Sequence, residues 1–304
     1  MSKSEQTSMP ISPMGLCERK SKELFPRNVS RSLLTLLFCI LTTSLYANFE
    51  GVNGGVIAVE LPVGAKYAVF NDEKQLVVDN IAIVAIPIDQ EPGEVQLRVH
   101  LGQNYIEDIP LLIQSKKYPE QHITISDEDM VTPPEETLER IRKESALMKE
   151  AYDLRTELGT DLFPILIPVS GPISGVFGSR RFFNGKPRNP HSGIDYAADQ
   201  GTPILAPAPG SIALTGDFYF NGNTVVINHG GGFVSVMCHL HEVFVKKDQE
   251  IRRGEKIGTV GSTGRSTGPH LHWTISLQGT KVDPAVFISV TNRLAGSKEK
   301  ASPE

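Results

Sequence analysis

The sequence predicts a mainly β protein: an N-terminal β-sandwich, a linking amphipathic helix and a C-terminal antiparallel β domain. Three observations carry this. Short β-branched runs separated by turn residues fill 50–126, apolar residues recur at helical spacing between 132 and 158, and a glycine-dense stretch over 165–290 holds strand runs without helical periodicity. The chain of 304 residues is long enough for two such units, and its 39% hydrophobic and 21% charged fractions are those of an ordinary globular protein.

Residues 1–47 come first and are basic, with Lys3, Arg19, Lys20, Lys22, Arg27 and Arg31 against Glu5, Glu18 and Glu23. A short apolar run from Leu33 to Tyr46 follows and ends at Ala47. Positive start, apolar core and small closing residue describe a secretory signal, with cleavage near Ala47. The apolar run is short for a membrane span of about 20 residues. The basic part is long, so a retained signal anchor is the other reading, and only then would the chain touch the membrane. Either way the chain is expected to be exported to the periplasm or cell envelope. Cys39 follows Phe38, not a small residue, which argues against lipoprotein-type processing. Cleavage would leave Cys238 as the one cysteine, so no internal disulfide is expected. The net charge is −5 although the first 47 residues are basic. No basic footprint for nucleic acid remains.

The sandwich is expected over 48–126. Its strand runs are Val56–Leu61, Tyr67–Phe70, Ile81–Ile86, Glu94–Val99 and His122–Ile125, separated by Pro62, Gly64, Asn71-Asp72 and Glu91-Pro92-Gly93. Strands at this spacing suggest a small antiparallel sandwich. It carries no cluster of ligands or nucleophiles, and His100 and His122 read as structural or surface residues.

A helical linker is expected over 127–164. Thr132-Pro133-Pro134-Glu135-Glu136 reads as a helix start, with a capping Thr, Pro in the first turn and acids near the positive end. Leu138, Ile141, Met148, Ala151, Leu154 and Leu158 then form an apolar stripe suited to burial between two domains. Gly159 ends the helix, and Pro164 and Pro168 block its resumption. The second β-rich unit spans 165–290, and 291–304 is expected as a disordered tail.

Chemistry concentrates in that second unit. His191 and Asp195 stand in His-Ser-Gly-Ile-Asp, and His270 and His272 in Gly-Pro-His-Leu-His-Trp. Along a strand, side chains at i and i+2 share a face, so His-Leu-His aims two rings into one site and sends Leu271 into the core. Five of the eight histidines, His191, His239, His241, His270 and His272, fall in three short clusters between 191 and 272. Two neutral imidazoles and one carboxylate are the donor set of a catalytic zinc, which keeps a coordination position open. Cys238 sits on the run Phe233–His239, and strict strand alternation turns it away from the side that His239 faces. Gly193 and the glycines of 258–268 read as tight turns, since no Walker lysine or dinucleotide unit accompanies them.

At these residues the chain resembles the lysostaphin/LytM family of zinc metallopeptidases, over about 165–290. The matching motifs are Phe177-Gly178-Ser179-Arg180-Arg181, Pro190–Ala197, Gly201-Thr202-Pro203-Ile204, Gly222–Gly230, Cys238-His239-Leu240 and Gly258–His272. Upstream, Lys117-Tyr118-Pro119-Glu120-Gln121 is similar to the β-sandwich that precedes the peptidase domain in some exported bacterial members. The resemblance implies one zinc per chain held by His191, Asp195 and His272, with His239 and His270 catalytic. It further implies the peptide stems of peptidoglycan as substrate, with cell-wall regulatory proteins as candidate partners. Some relatives have lost ligands and only activate other wall hydrolases; here all five positions are intact. The first rival is therefore a non-catalytic activator with the same fold, and the second a zinc peptidase acting on non-wall peptides. His241 departs from the family pattern and is expected to face solvent. Arg180 and Arg181 could grip a peptide carboxylate or stand as solvated loop charges. Asn184 and His229 read as structural.

Overall fold

Alternation of buried and exposed residues builds the N-terminal unit of this computed structural model, which describes residues 49–102, 105–159 and 161–301. The expected signal segment 1–47 lies outside the described residues. The strands are β1 (Phe49–Val52), β2 (Val56–Glu60), β3 (Tyr67–Phe70), β4 (Glu73–Lys74), β5 (Leu76–Val78), β6 (Ile81–Ala85), β7 (Gly93–His100) and β8 (Ile106–Gln114). One sheet has the order β1-β8-β7-β3-β4 and the other β2-β6-β5. β1 joins β8 in parallel, a departure from the purely antiparallel expectation. Leu97 and Val99 of β7 and Ile109, Leu111 and Ile113 of β8 point into the sandwich, while Arg98, Pro110 and Leu112 between them face out. β6 is apolar on both faces because both are covered. Ala82 and Val84 pack inside the sandwich, whereas Ile83 and Ala85 join the larger core of the C-terminal unit.

The sandwich ends earlier than 126. β9 (Glu120–Ile123) leaves it and pairs in parallel with β11 (Arg180–Phe183), which also holds β12 (Lys186–Pro187). His122 stands opposite Phe182 and stacks on it, with ring centroids 4.7 Å apart. A strand expected in the first unit thus forms a wall of the second.

The linking helix α1 spans Glu135–Tyr152, shorter than the 132–158 periodicity predicts. Its N-cap is Pro134, without a side-chain capping bond, so Thr132 is not the cap. The Thr132 hydroxyl instead accepts from Lys186 Nζ at 2.7 Å. Past the helix the chain runs extended, Gly231 N–H donates to Thr156 O, and Leu158 reaches the main core without being helical. The inner stripe of α1, including Met148, Ala151 and Tyr152, covers Val226, Val234, Val236 and Cys238 on the main sheet.

That main sheet contains β10 (Ile173–Gly175), β13 (Ile194–Ala197), β14 (Pro203–Leu205), β15 (Gly210–Phe218), β16 (Gly222–Gly230), β17 (Phe233–Val243), β18 (Glu250–Ile251), β19 (Lys256–Val260), β20 (His270–Leu277) and β21 (Thr280–Val282). Its central path is β10-β13-β20-β17-β16-β15-β18, and β19 bridges β14 and β17. Ile204, Val225, Ile227, Leu240, Leu271, Trp273 and Ile275 fill the core beneath it.

The expected disordered tail is a correction as well. Helix α2 runs from Pro284 to Ala301. Asp283 accepts from Ala285 N–H at its start and pairs with Lys116 Nζ at 2.8 Å. Phe287 and Thr291 are buried, and Val290 and Leu294 pack on the core, an i, i+3, i+4, i+7 pattern that anchors the helix. Among the described residues, no helix is long and apolar enough to cross a membrane.

Candidate functional site

Strand register brings the expected residues together. Asp195 of β13 lies directly opposite His272 of β20, so both side chains leave one face of the sheet. Leu271, between His270 and His272, is fully buried in the core. His191 enters from the segment before β13, fixed by its N–H to Ser179 O at 2.9 Å and by Gly178 N–H to its own carbonyl at 2.8 Å.

Three acceptor atoms then converge. Asp195 Oδ1 lies 3.0 Å from His191 Nε2 and 2.7 Å from His272 Nδ1, and these two nitrogens are 2.9 Å apart. The outer nitrogens have acceptors of their own: His191 Nδ1 lies 2.9 Å from Val176 O, and His272 Nε2 lies 2.9 Å from Thr274 Oγ1. Protons placed on those outer nitrogens leave two lone pairs and a carboxylate oxygen facing each other, an arrangement that fits a divalent cation. Among the described residues this is the one cluster of His, Cys, Asp or Glu able to hold a metal ion.

The electrostatics match. Burial works to raise the Asp195 pKa, but the close ring nitrogens of His191 and His272 outweigh it and hold the carboxyl well below the usual carboxylate range. Its other oxygen, Oδ2, accepts from Arg181 Nη2 at 2.8 Å. Burial lowers His272 to about 4 despite Asp195, so the ring is neutral, as a ligand must be.

His239 and His270 flank the three. Their rings are 4.8 Å apart, and His239 is 6.2 Å from His272. His239 Nδ1 lies 2.8 Å from Thr263 O, and His270 Nδ1 lies 2.9 Å from Gly268 O. Each ring therefore directs Nε2 into the site. Burial, then the charges of His270 and His272, push His239 down to about 3.

The expectation for Cys238 needs correction. Cys238 stands opposite His272, on the site's own face of the sheet. The register between β16 and β17 shifts between Asn223 and Val225, and His239 has a φ of 66°. This bulge inserts one residue and breaks the alternation, so Cys238 and His239 leave the strand on the same side. Cys238 is nevertheless buried under α1, and burial pushes its thiol up to about 12, so it offers no thiolate.

The remaining expected residues divide cleanly. His241 is exposed. Asn184 ties down Ile125 through both backbone groups. Buried His229 lies against Pro209 O at 2.7 Å and Ser235 Oγ at 2.9 Å. Arg180 is an exposed partner of Glu120, and Arg181 is neither a free grip nor a solvated charge because Asp195 holds it. Sequence reasoning missed the positioning roles of Arg181 and Thr274. Thr274 lies at i+2 from His272, so strand periodicity could have found it; Arg181 meets Asp195 only through tertiary structure.

His239, His270, His272 and Asp195 share a cavity of about 240 Å³ with Arg181 and Arg265. A contiguous groove of about 1100 Å³ runs from His191 and His239 along α1. Residues 189–284, which contain all five site positions, match the model of peptidase family M23. A crystal structure of a putative peptidase M23 from Pseudomonas aeruginosa is 37% identical and superposes with a TM-score of 0.65, over 78% of this chain and 94% of that one. The chain belongs to peptidase family M23. Its M23 segment is 44% identical over 111 residues to the DD-carboxypeptidase/endopeptidase Mpg of Neisseria meningitidis, covering 36% of this chain and 26% of that protein. It is 42% identical over 94 residues to the peptidoglycan DD-endopeptidase ShyA of Vibrio cholerae, covering 31% of this chain and 22% of that protein. The matched part thus spans about a quarter of the length of these curated relatives.

Proposed function

We propose that this M23 chain is an exported zinc metalloendopeptidase that hydrolyses peptide cross-links of bacterial peptidoglycan in the cell envelope. The observation that carries the reading is the convergence of His191 Nε2, His272 Nδ1 and Asp195 Oδ1 within 3.0 Å of one another, with two further imidazoles beside them. The names of Mpg and ShyA support the substrate class. His191, Asp195 and His272 are the residues that would hold the zinc. Zinc bound there would polarise a scissile carbonyl and make water a better nucleophile.

The other groups have separable tasks. His239 is kept neutral by burial, so its Nε2 accepts a hydrogen bond and orients water or substrate. His270 is the less buried of the pair, with 17% of its side chain exposed, and is placed to pass a proton to the leaving nitrogen and regain it from solvent. Thr274 and Val176 fix the orientation of the two ligand rings.

Digestion of purified sacculi with zinc-loaded protein, followed by mass analysis of the released fragments, tests this. Fragments cut within the peptide cross-links, lost on chelation and regained with zinc, are expected. Fully zinc-loaded protein that releases no fragments would favour the activator reading, and cleavage confined to non-wall peptides the other rival.

A further inference from the structure

Among the described residues, two guanidinium groups beside the candidate site have no anionic partner. Arg180 pairs with Glu120 and Arg181 with Asp195, but among the described residues no carboxylate lies within 4.0 Å of Arg188 or Arg265. Arg265 Nη1 donates to Met130 O at 3.2 Å, and Arg188 Nη2 donates to Val131 O at 2.6 Å. Of the five donors that a guanidinium carries, Arg265 uses one and Arg188 two. The second from Arg188 is only a long contact, from Nη1 to Pro187 O at 3.4 Å. Arg265 is clamped between two rings, 4.7 Å from the centroid of Phe183 and 4.2 Å from that of Phe220. It is therefore held in one orientation before any ligand arrives. The two accepting carbonyls belong to consecutive residues, Met130 and Val131, so the guanidiniums of Arg265 and Arg188 lie close together, and burial pushes Arg265 down to about 10. Both Arg188 and Arg265 line the groove that holds His191, His239 and His272.

Half-buried cations held together without a counter-ion are costly unless something compensates them. Asp195, which lines one cavity with Arg265, is already committed to Arg181 and to the histidines. None of the described residues supplies the missing charge, which leaves it to a bound ligand, and a forked guanidinium matches a planar carboxylate. We propose that Arg188 and Arg265 form a carboxylate-recognition site that selects peptide substrates bearing a free carboxylate beside the scissile amide. This rests on the peptidase reading above and deepens it by assigning the feature of the substrate that is read.

The test uses the zinc-loaded full chain and two cross-linked peptide dimers, identical except that the carboxylate adjoining the cross-link is free in one and amidated in the other. Wild-type protein is expected to favour the free carboxylate by roughly tenfold or more in kcat/KM, chiefly through KM. Arg188→Gln and Arg265→Gln should bring that ratio close to one while retaining zinc. Equal cleavage of both dimers by wild-type protein, or an undiminished preference in both variants, overturns the proposal. A second readout separates it from the wall-hydrolase reading: isotope-labelled protein is titrated with acetyl-D-alanyl-D-alanine and with its C-terminal amide. The free acid alone should move the Arg265 Nε–H resonance, and Arg188→Gln should weaken that response. A carboxylate-specific shift without cleavage of either dimer keeps the site and rejects the wall-hydrolase reading. If neither dimer is cleaved and no shift appears, both fail.

Discussion

Gly175 and Asp195 are so close that a methyl group on Gly175 would lie 2.3 Å from Asp195 Oδ2. No real contact is that short, so the carboxylate keeps its place only because residue 175 has no side chain. Gly175→Ala should displace Asp195 and weaken metal binding by roughly tenfold to a hundredfold. Competition with a chelator of known affinity measures this. Wild-type affinity in the variant would mean that Asp195 is not needed where it stands.

Arg181 is the cation that faces Asp195 Oδ2, and both side chains are largely buried, 18% and 8% exposed. Removing one partner of a buried pair leaves the other charge uncompensated, a cost on the order of 3 kcal/mol. A bound cation would restore part of that compensation. Arg181→Met should therefore lower the melting temperature of metal-free protein more than that of metal-loaded protein. Equal losses in the two states would refute a role for Arg181 in balancing Asp195.

Ligand and non-ligand histidines should separate on metal analysis. His191→Ala and His272→Ala are expected to lose the metal. His239→Ala and His270→Ala should keep most of it yet lose activity by roughly a hundredfold or more, the scale of general acid–base contributions. Full activity of either of the latter under zinc-replete conditions would remove it from the catalytic set.

His229 makes stability depend on pH. Burial lowers its folded pKa to about 4, below the ordinary value of 6.5. The unfolded chain then binds more protons between those values, so stability falls as pH drops from 6.5 toward 4. A shift of that size corresponds to about 3 kcal/mol at its limit. His229→Gln should cost stability at pH 7 but flatten the dependence of the melting temperature between pH 7 and 5. An unchanged slope would show that other groups carry the acid sensitivity.

Much of this was legible in the chain because strand periodicity is local. His270 and His272 share a face by the rule of two, and Leu271 enters the core for the same reason. The bulge at Cys238-His239 was not legible, since one inserted residue reverses the alternation without any proline or glycine within the pair to announce it. The contacts of Arg181 with Asp195 and of Arg265 with Met130 are tertiary, and no spacing encodes them. Helix α2 was hidden for another reason. Its apolar positions Phe287, Val290 and Leu294 straddle the boundary drawn at residue 290, and the polar end masked the stripe.

β9 pairs with β11 across a separation of about 60 residues, between Glu120 and Arg180. Closing that long parallel contact costs chain entropy before it yields hydrogen bonds. The wall carrying Arg181 is built from strands that precede the M23 segment, whose matched residues begin at 189. That segment alone carries the four histidines and the carboxylate of the site but not the cation that faces Asp195 Oδ2, so the balance of charge at the site depends on chain outside it.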